Sequence, residues 1–515
     1  MALSDVSRGA AWLLGFPLIL LLAAVAAVAM FVPALHALVN DDHTISRSFA
    51  YSGFMGLVVI GLIAMAMNGS HRRVTSDLGN LLSLCLAFIL LPVFLAIPFY
   101  EGLRTTTFLN AYFEMVSSFT TTGATLFEKP GRLADSLHLW RGMVGWFGGL
   151  LMWIAASAVL APLALGGFEV TAAAEPGQGT IGGLDRFQRA GTDRRLAQVT
   201  WELAPLFAGL TGALWLMLVL GGDRPTVALI HAMSTMSTSG ISSIGGVQNA
   251  GSGVGGEVVI FFFMMFALSR LTFSSDTASA ARAGLLSDPE FRIGLLLVIG
   301  VPLLLFARHW IGALEVAEGE DLPSAFGALW GGMFSVLSFL STTGFESAYW
   351  DSARDWSGLA TPGLILMGLS LVGGGVATTA GGVKLLRVYA LYLNGQREME
   401  RLVHPSSIGL SGARTRRLRR QGAFVAWVFF MLFALSLALV TVVLAGLGMG
   451  FEQSMILAIS ALSTTGPLTQ VAGSAPIPLL MMAPAAKLVF CAAMVLGRLE
   501  TLAIIALFNP GLWRD

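Results

Sequence analysis

Ten stretches of this chain stay apolar for about the 20 residues that a helix needs to cross a bilayer, and that limits the fold before any motif is read. They fall at residues 12–38, 50–68, 80–100, 140–165, 202–221, 256–275, 293–310, 361–390, 421–446 and 478–507. In lipid, backbone amides must be satisfied internally, so runs of this length predict an all-α polytopic membrane protein with about ten transmembrane helices. Only 12% of residues are charged, against about a quarter in a soluble domain. Net charge is zero, which removes the basic surplus expected of a nucleic-acid binder. The first run is longer than the apolar core of a secretory signal, about 7–15 residues, and is read as a retained helix. Cys85 and Cys491 lie far apart inside apolar runs and read as small buried side chains, with no disulfide framework or metal-ligand spacing.

Arginine placement orients the spans. One set of alternate loops holds Arg72 and Arg73, then Arg186, Arg189, Arg194 and Arg195, then Arg282 and Arg292. It ends with Arg397, Arg401, Arg414, Arg416, Arg417, Arg419 and Arg420, making 15 arginines. The opposite set holds six basic residues: Arg47, Arg104, Lys129, Arg132, Arg224 and Arg354. With an even number of spans, both termini are expected in the cytoplasm.

A fourfold repeat lies within this pattern. The septets are Ser117-Ser-Phe-Thr-Thr-Thr-Gly123, Ser234-Thr-Met-Ser-Thr-Ser-Gly240, Ser338-Phe-Leu-Ser-Thr-Thr-Gly344 and Ser460-Ala-Leu-Ser-Thr-Thr-Gly466. Their glycines are 117, 104 and 122 residues apart. Each septet ends a half-length apolar segment: Phe108–Ser118, Val227–Met236, Ala325–Leu340 and Met455–Leu462. Such a segment predicts a helix that enters from outside, stops midway and returns as extended chain. Irregular backbone at that depth is tolerated only when buried in protein or lining water, a condition that four loops around one axis satisfy together. The repeat divides the chain into an N-terminal two-helix extension (1–78) and four pore repeats at 79–198, 199–290, 291–420 and 421–515.

The residue types suit a cation path. Backbone carbonyls, aided by Ser and Thr hydroxyls, replace a hydration shell without a fixed charge that would trap the ion. Glycine reaches φ values closed to other residues, which lets its neighbours' carbonyls turn toward an axis. The short helices aim their partially negative C-terminal ends at the same place.

The unit of span, half-helix, filter and span, repeated four times in one chain, resembles the Trk/Ktr/HKT superfamily of potassium transporters. The two extra N-terminal spans resemble its TrkH branch, and the likeness runs from about residue 10 to 510. It implies a selectivity filter for potassium at Thr121, Thr122, Gly123, Thr238, Ser239, Gly240, Thr342, Thr343, Gly344, Thr464, Thr465 and Gly466. Glycine at all four filter positions favours potassium over sodium. The resemblance further implies a bacterial inner-membrane protein, a homodimer and a cytosolic TrkA-like nucleotide-binding regulatory subunit, for which the arginine-rich loop 391–420 is a candidate dock; that loop also suits anionic membrane lipid. Channel and symporter both stay open, as do the potassium-binding subunit of a P-type ATPase complex and a non-conducting membrane scaffold or receptor.

The eighth apolar run contains Val372-Gly-Gly-Gly-Val-Ala-Thr-Thr-Ala-Gly-Gly-Val-Lys384. Five glycines in ten residues weaken a helix by about 1 kcal/mol each, so the span is expected to break there. In the TrkH branch the matching stretch is an intramembrane gate loop, which makes Gly373, Gly374, Gly375, Gly381 and Gly382 gate candidates. The family's usual Gly-Ser-Thr element is replaced here by Val376-Ala-Thr-Thr-Ala380. Arg498 in the tenth span needs a carboxylate, water or exposed carbonyls, since a central arginine costs at least about 2.5 kcal/mol. By resemblance it projects beside the gate loop; pairing with Glu500 is the alternative. Glu346, two residues past a filter glycine, is expected at the outer mouth, while Lys487 belongs to the outer polar lining. The acidic residues Glu315, Glu318, Glu320 and Asp321 suit an outer loop, and Arg270 and Asp276 a cytoplasmic boundary. The run Gly251-Ser-Gly253-Val-Gly255 follows no strand and makes no dinucleotide site, and His231 reads as a packed histidine. No His-Glu-x-x-His, Walker or nucleophile-elbow pattern appears, so the chain reads as a non-enzyme with no cofactor, its only metal being transported potassium.

Overall fold

The computed structural model describes residues 16–67, 77–161, 192–269, 288–313, 322–357, 361–404, 422–473 and 475–500, together with 163, 165, 167, 168 and 359. Arg72, Arg73, Arg270, Asp276, the acidic residues 315–321 and the arginines 414–420 lie outside the described residues.

The described residues are mostly helical, with no strand among them. The N-terminal pair is α1 (Leu18–Val39, turning at Met30) and α2 (His43–Met67). The first repeat is α3 (Asp77–Leu103), the pore helix α4 (Phe108–Phe119) and α5 (Asp135–Ala155), which runs on as one π-helical stretch to Leu160. The second is α6 (Thr192–Leu220), pore helix α7 (Pro225–Ser237) and α8 (Gly253–Met264). The third is α9 (Pro289–Ala313), pore helix α10 (Leu322–Leu340), a surface helix α11 (Trp350–Ser357), α12 (Gly363–Val372) and α13 (Leu385–Val403). The fourth is α14 (Gly422–Gly446), pore helix α15 (Phe451–Leu462), a single turn α16 (Leu468–Val471) and α17 (Pro484–Leu499).

Seven of these helices are long and apolar enough to cross a membrane. Each of the ten expected runs contains helix, and among the described residues three of these helices are shorter than a crossing needs: Gly253–Leu268, Gly363–Val372 and Pro484–Leu499. The second of these stops where the glycines begin, and helix resumes at Leu385, so the span breaks as expected. The 12 residues of α4 and of α15 reach about 18 Å, well short of a hydrocarbon core of about 30 Å. The third pore helix is longer than expected, at 19 residues, starting at Leu322 rather than Ala325.

The repeats close into a ring. The helix that follows each septet packs on the half-length helix of the next repeat: α5 on α7, α8 on α10, α12 on α15, and α17 back on α4. Inner and outer helices separate accordingly. α5 is mostly buried within the protein, whereas α2 is largely exposed, with Tyr51, Phe54, Met55 and Leu62 facing outward. Proline in a span frees carbonyls that lipid cannot satisfy. Beside the Phe88 and Phe94 carbonyls freed by Pro92 and Pro98 of α3, side chains bond three neighbouring carbonyls: Tyr112 to Ile89 O (3.2 Å), Trp140 to Leu95 O (3.2 Å) and Ser48 to Pro98 O (2.8 Å).

Candidate functional site

All four pore helices end in the same hydrogen-bonded turn. The sixth septet residue donates its N–H to the carbonyl of the first: Thr122 to Ser117 (2.9 Å), Ser239 to Ser234 (2.9 Å), Thr343 to Ser338 (2.8 Å) and Thr465 to Ser460 (2.9 Å). The fifth donates to the second, in Thr121, Thr238, Thr342 and Thr464 alike. This is the Schellman pattern, in which the residue after the helix takes a left-handed conformation and glycine is usual. Here that residue is threonine each time, with φ of 56°, 51°, 60° and 55°. A β-branched residue there is strained, by about 1–2 kcal/mol, and such strain persists only where the surroundings impose it. Behind each turn the fourth and sixth hydroxyls join in pairs: Thr120 with Thr122, Ser237 with Ser239, Ser341 with Thr343 and Ser463 with Thr465, at 2.8–3.2 Å.

The septet glycines are where the four segments meet. A Cβ on Gly123 would lie 1.8 Å from Ser239 O, and one on Gly240 2.2 Å from Thr343 O. One on Gly344 would lie 2.7 Å from the Pro467 ring, and one on Gly466 2.1 Å from Ala124 N. Each septet therefore abuts the next, one to two to three to four and back to one. Gly123, Gly240 and Gly344 have φ of 73°, 65° and 82°, as expected of residues that turn the chain. Gly466 does not share that conformation: among the described residues with positive φ it is absent, and its N–H donates instead to Thr122 O at 2.6 Å. Close approach alone excludes a side chain there.

The glycine-rich break, residues 373–384, lies directly against these turns. Gly381 N donates to Thr342 Oγ1 (2.7 Å), and Thr379 Oγ1 to Met236 O (3.2 Å). A Cβ on Gly381 would meet Ser463 O and Thr464 Oγ1, each at 2.2 Å. The remaining loop is held by Gly375 N to Ala267 O (2.9 Å) and Val376 N to Glu290 Oε1 (3.0 Å). Gly373 and Gly382 have positive φ and close on each other, while Gly374 and Gly375 pass against the backbone of Ala267 and Leu268.

Arg498 is buried and donates from Nη1 to Thr379 O at 2.7 Å. Its expected competitor, Glu500, is taken by another residue: Arg387, which pairs with it at 2.6 Å and lies 3.7 Å over the Phe429 ring. Lys384, also buried, donates to Ala380 O. Met152, Ala156, Leu160 and Gly497 complete a small cavity with Lys384, Arg498, Glu500 and the loop. Lys384 and Arg387 were not singled out in the sequence; two cations following a glycine run inside an apolar stretch are the signal.

Glu346 is half-buried just past the third septet, where burial and then the Asp351 carboxylate push its carboxyl up to about 7. Lys487 is less a free lining group than a tie, donating to Asn110 Oδ1 and Leu480 O, each at 2.9 Å. His231 is packed, sharing a 2.8 Å hydrogen bond with Ser242. Gly251 precedes α8 and Gly253 and Gly255 open it, with no strand among the described residues. Among those residues no three His, Cys, Asp or Glu gather as metal ligands.

Comparison with known proteins agrees with this architecture. The TrkH profile, described as a cation transport protein, matches residues 202–513. The Trk system potassium uptake protein TrkH of Salmonella typhimurium is 29% identical over 492 residues, covering 94% of this chain and 96% of the relative. TrkH of Vibrio parahaemolyticus serotype O3:K6 is 28% identical over 502 residues, covering 96% and 98%. The crystal structure of the potassium transporter TrkH from Vibrio parahaemolyticus superposes with a TM-score of 0.79 over 97% of this chain and 98% of that one, at 24% identity, and so attests the fold. The matched profile spans more than half of the sequence, and the chain belongs to the TrkH family of cation transport proteins.

Proposed function

We propose that this protein takes up potassium across the bacterial inner membrane, through a filter made by the four Ser/Thr–Gly turns and gated by the loop 373–382 with Arg498. The observation that carries the reading is the cyclic contact of the four septets. Four helix C-termini with their Ser/Thr–Gly turns meet in a closed cycle of contacts, and no septet contains a carboxylate, which suits a cation that must bind and leave. Relatives across nearly the whole chain are named potassium uptake proteins. The repeat boundaries at 79, 199, 291 and 421 belong to this reading, as do the homodimer and the TrkA-like nucleotide-binding partner. Glu346 at the outer mouth would raise local cation concentration when ionised.

The test is rubidium or potassium uptake into proteoliposomes containing the full chain, with sodium as competitor. Uptake down a gradient without ATP, weakly inhibited by sodium, is expected. A requirement for ATP would point to the subunit of a P-type ATPase, and no flux at all to a scaffold.

The same reading sets the topology, with filters opening outward and α13 reaching the cytoplasm. Gly131 and Gly395 are exposed, with nothing within 4 Å of an added Cβ. A cysteine at Gly131 is expected to react with an impermeant maleimide from outside, and one at Gly395 only from the cytoplasm. The reverse pattern would invert the pore.

A further inference from the structure

The repeats can be compared position by position, counting from each filter glycine. Nine residues before Gly123 stands Glu114, and two after it Thr125; the Thr125 hydroxyl donates to Glu114 Oε1 at 2.9 Å. Nine before Gly240 stands His231, and two after it Ser242, joined at 2.8 Å. In both cases the hydroxyl also accepts the N–H two residues on, Phe127 (3.1 Å) and Ile244 (3.2 Å). The third repeat reaches the same result by another route. Its hydroxyl is Ser347, which accepts Tyr349 N (3.2 Å) and donates to Glu257 Oε2 (2.6 Å). Glu257 comes from α8 of the preceding repeat, also accepts Ala348 N (2.6 Å) and is held by Trp330 Nε1 (3.0 Å). Glu114 likewise accepts Leu126 N (2.6 Å) and pairs with Arg141 (2.9 Å). The fourth repeat has Leu457 and Leu468 at the two places, and its filter runs straight into α16.

Glu114, His231 and Glu257 are all buried, at 0%, 0% and 2% exposure. A buried charge is expensive unless it is paired and hydrogen-bonded, and apolar leucines occupy the equivalent places in the fourth repeat. Polar braces two residues past the glycine in the first two loops and three past it in the third therefore call for a role that packing does not supply. We propose that Glu114, His231 and Glu257 are positioning residues for ion selection: through Thr125, Ser242 and Ser347 they pin the outer ends of filters one, two and three. This rests on the four-turn filter proposed above. The physical ground is that a smaller cation draws carbonyls inward, so a filter segment fixed at both ends resists the contraction that sodium requires. The inner end is fixed by the Schellman turn; the brace fixes the outer one.

The experiment is the potassium-to-sodium uptake ratio of the full chain in proteoliposomes. Thr125→Val removes the hydroxyl but leaves the Glu114–Arg141 pair; Ser242→Ala does the same for the second brace. Each is expected to lower the ratio at least about twofold, the lower end of what one hydrogen bond is worth, and Thr125→Ser to restore it. Gly123→Ser is measured alongside. If it leaves the ratio unchanged, the filter assignment fails and the braces with it. If it lowers the ratio while Thr125→Val and Ser242→Ala do not, the brace alone is overturned. A ratio equally low in Thr125→Ser would also overturn it, because methyl packing would then be the cause. Should Thr125→Val not assemble, Ser242→Ala, the smaller change, decides alone.

Discussion

Serine in place of Gly123 should lower the potassium-to-sodium ratio by about tenfold or more, since relocating a filter carbonyl alters at least one full coordination contact, about 1.4 kcal/mol or above. Two independent features of the position make the change severe. Its φ of 73° is a conformation that costs a residue with a Cβ about 1–2 kcal/mol. The Cβ itself would sit 1.8 Å from Ser239 O, a backbone atom that no rotamer change can remove. The two filters must therefore separate, and the shift does not stop there: Thr122 O holds Gly466 N at 2.6 Å, so filter four moves as well. Sodium, which tolerates an irregular oxygen cage with retained water, gains relative to potassium. The measurement is paired uptake of the two ions per folded protein. An unchanged ratio with unaltered potassium flux would mean that these turns are not where ions are selected.

What the sequence disclosed follows from the range of the interactions involved. The half-helices, the septets and the break in the eighth span are local: each is written in consecutive residues, by apolar length, hydroxyl content or glycine density, and repetition amplified the first two. Buried charge pairing is not local. Glu500 stands two residues from Arg498, yet pairs with Arg387, 113 residues away, because the end of α17 turns with φ of 63° at Glu500. Likewise the third filter is braced by Glu257, 90 residues before Ser347, where pattern reading looks within the repeat. The left-handed threonines escaped for another reason: positive φ is ordinarily assigned to glycine, and here the glycine stands two residues later. Gly466 shows the converse, a glycine needed for space rather than for conformation. Apolar length was likewise legible span by span, with seven of the ten runs forming helices long enough to cross among the described residues and the eighth broken at its glycines.

Two unrelated changes at the gate should both increase flux: Arg498→Ala and removal of part of Gly373–Gly382. Arg498 acts in two ways in this reading. Its Nη1 holds the loop by Thr379 O at 2.7 Å, and its charge opposes a cation in the passage. A unit charge about 4 Å from a passing ion costs about 4 kcal/mol at an effective dielectric near 20, enough to limit conduction. Lys384 remains beside the loop in Arg498→Ala, donating to Ala380 O, so that variant should open less fully than the deletion, which takes away the obstruction itself. The loop also hangs from the filter by Gly381 N to Thr342 Oγ1 at 2.7 Å, and shortening it releases that tie. A purely structural role predicts the opposite sign. An arginine needed for packing, or glycines needed for close helix contact, would lose stability and activity together when altered. Flux per correctly assembled protein separates the two cases. Reduced flux in both variants with normal assembly would sink the gate while leaving the filter untouched, because the cyclic contacts of the four septets do not depend on Arg498.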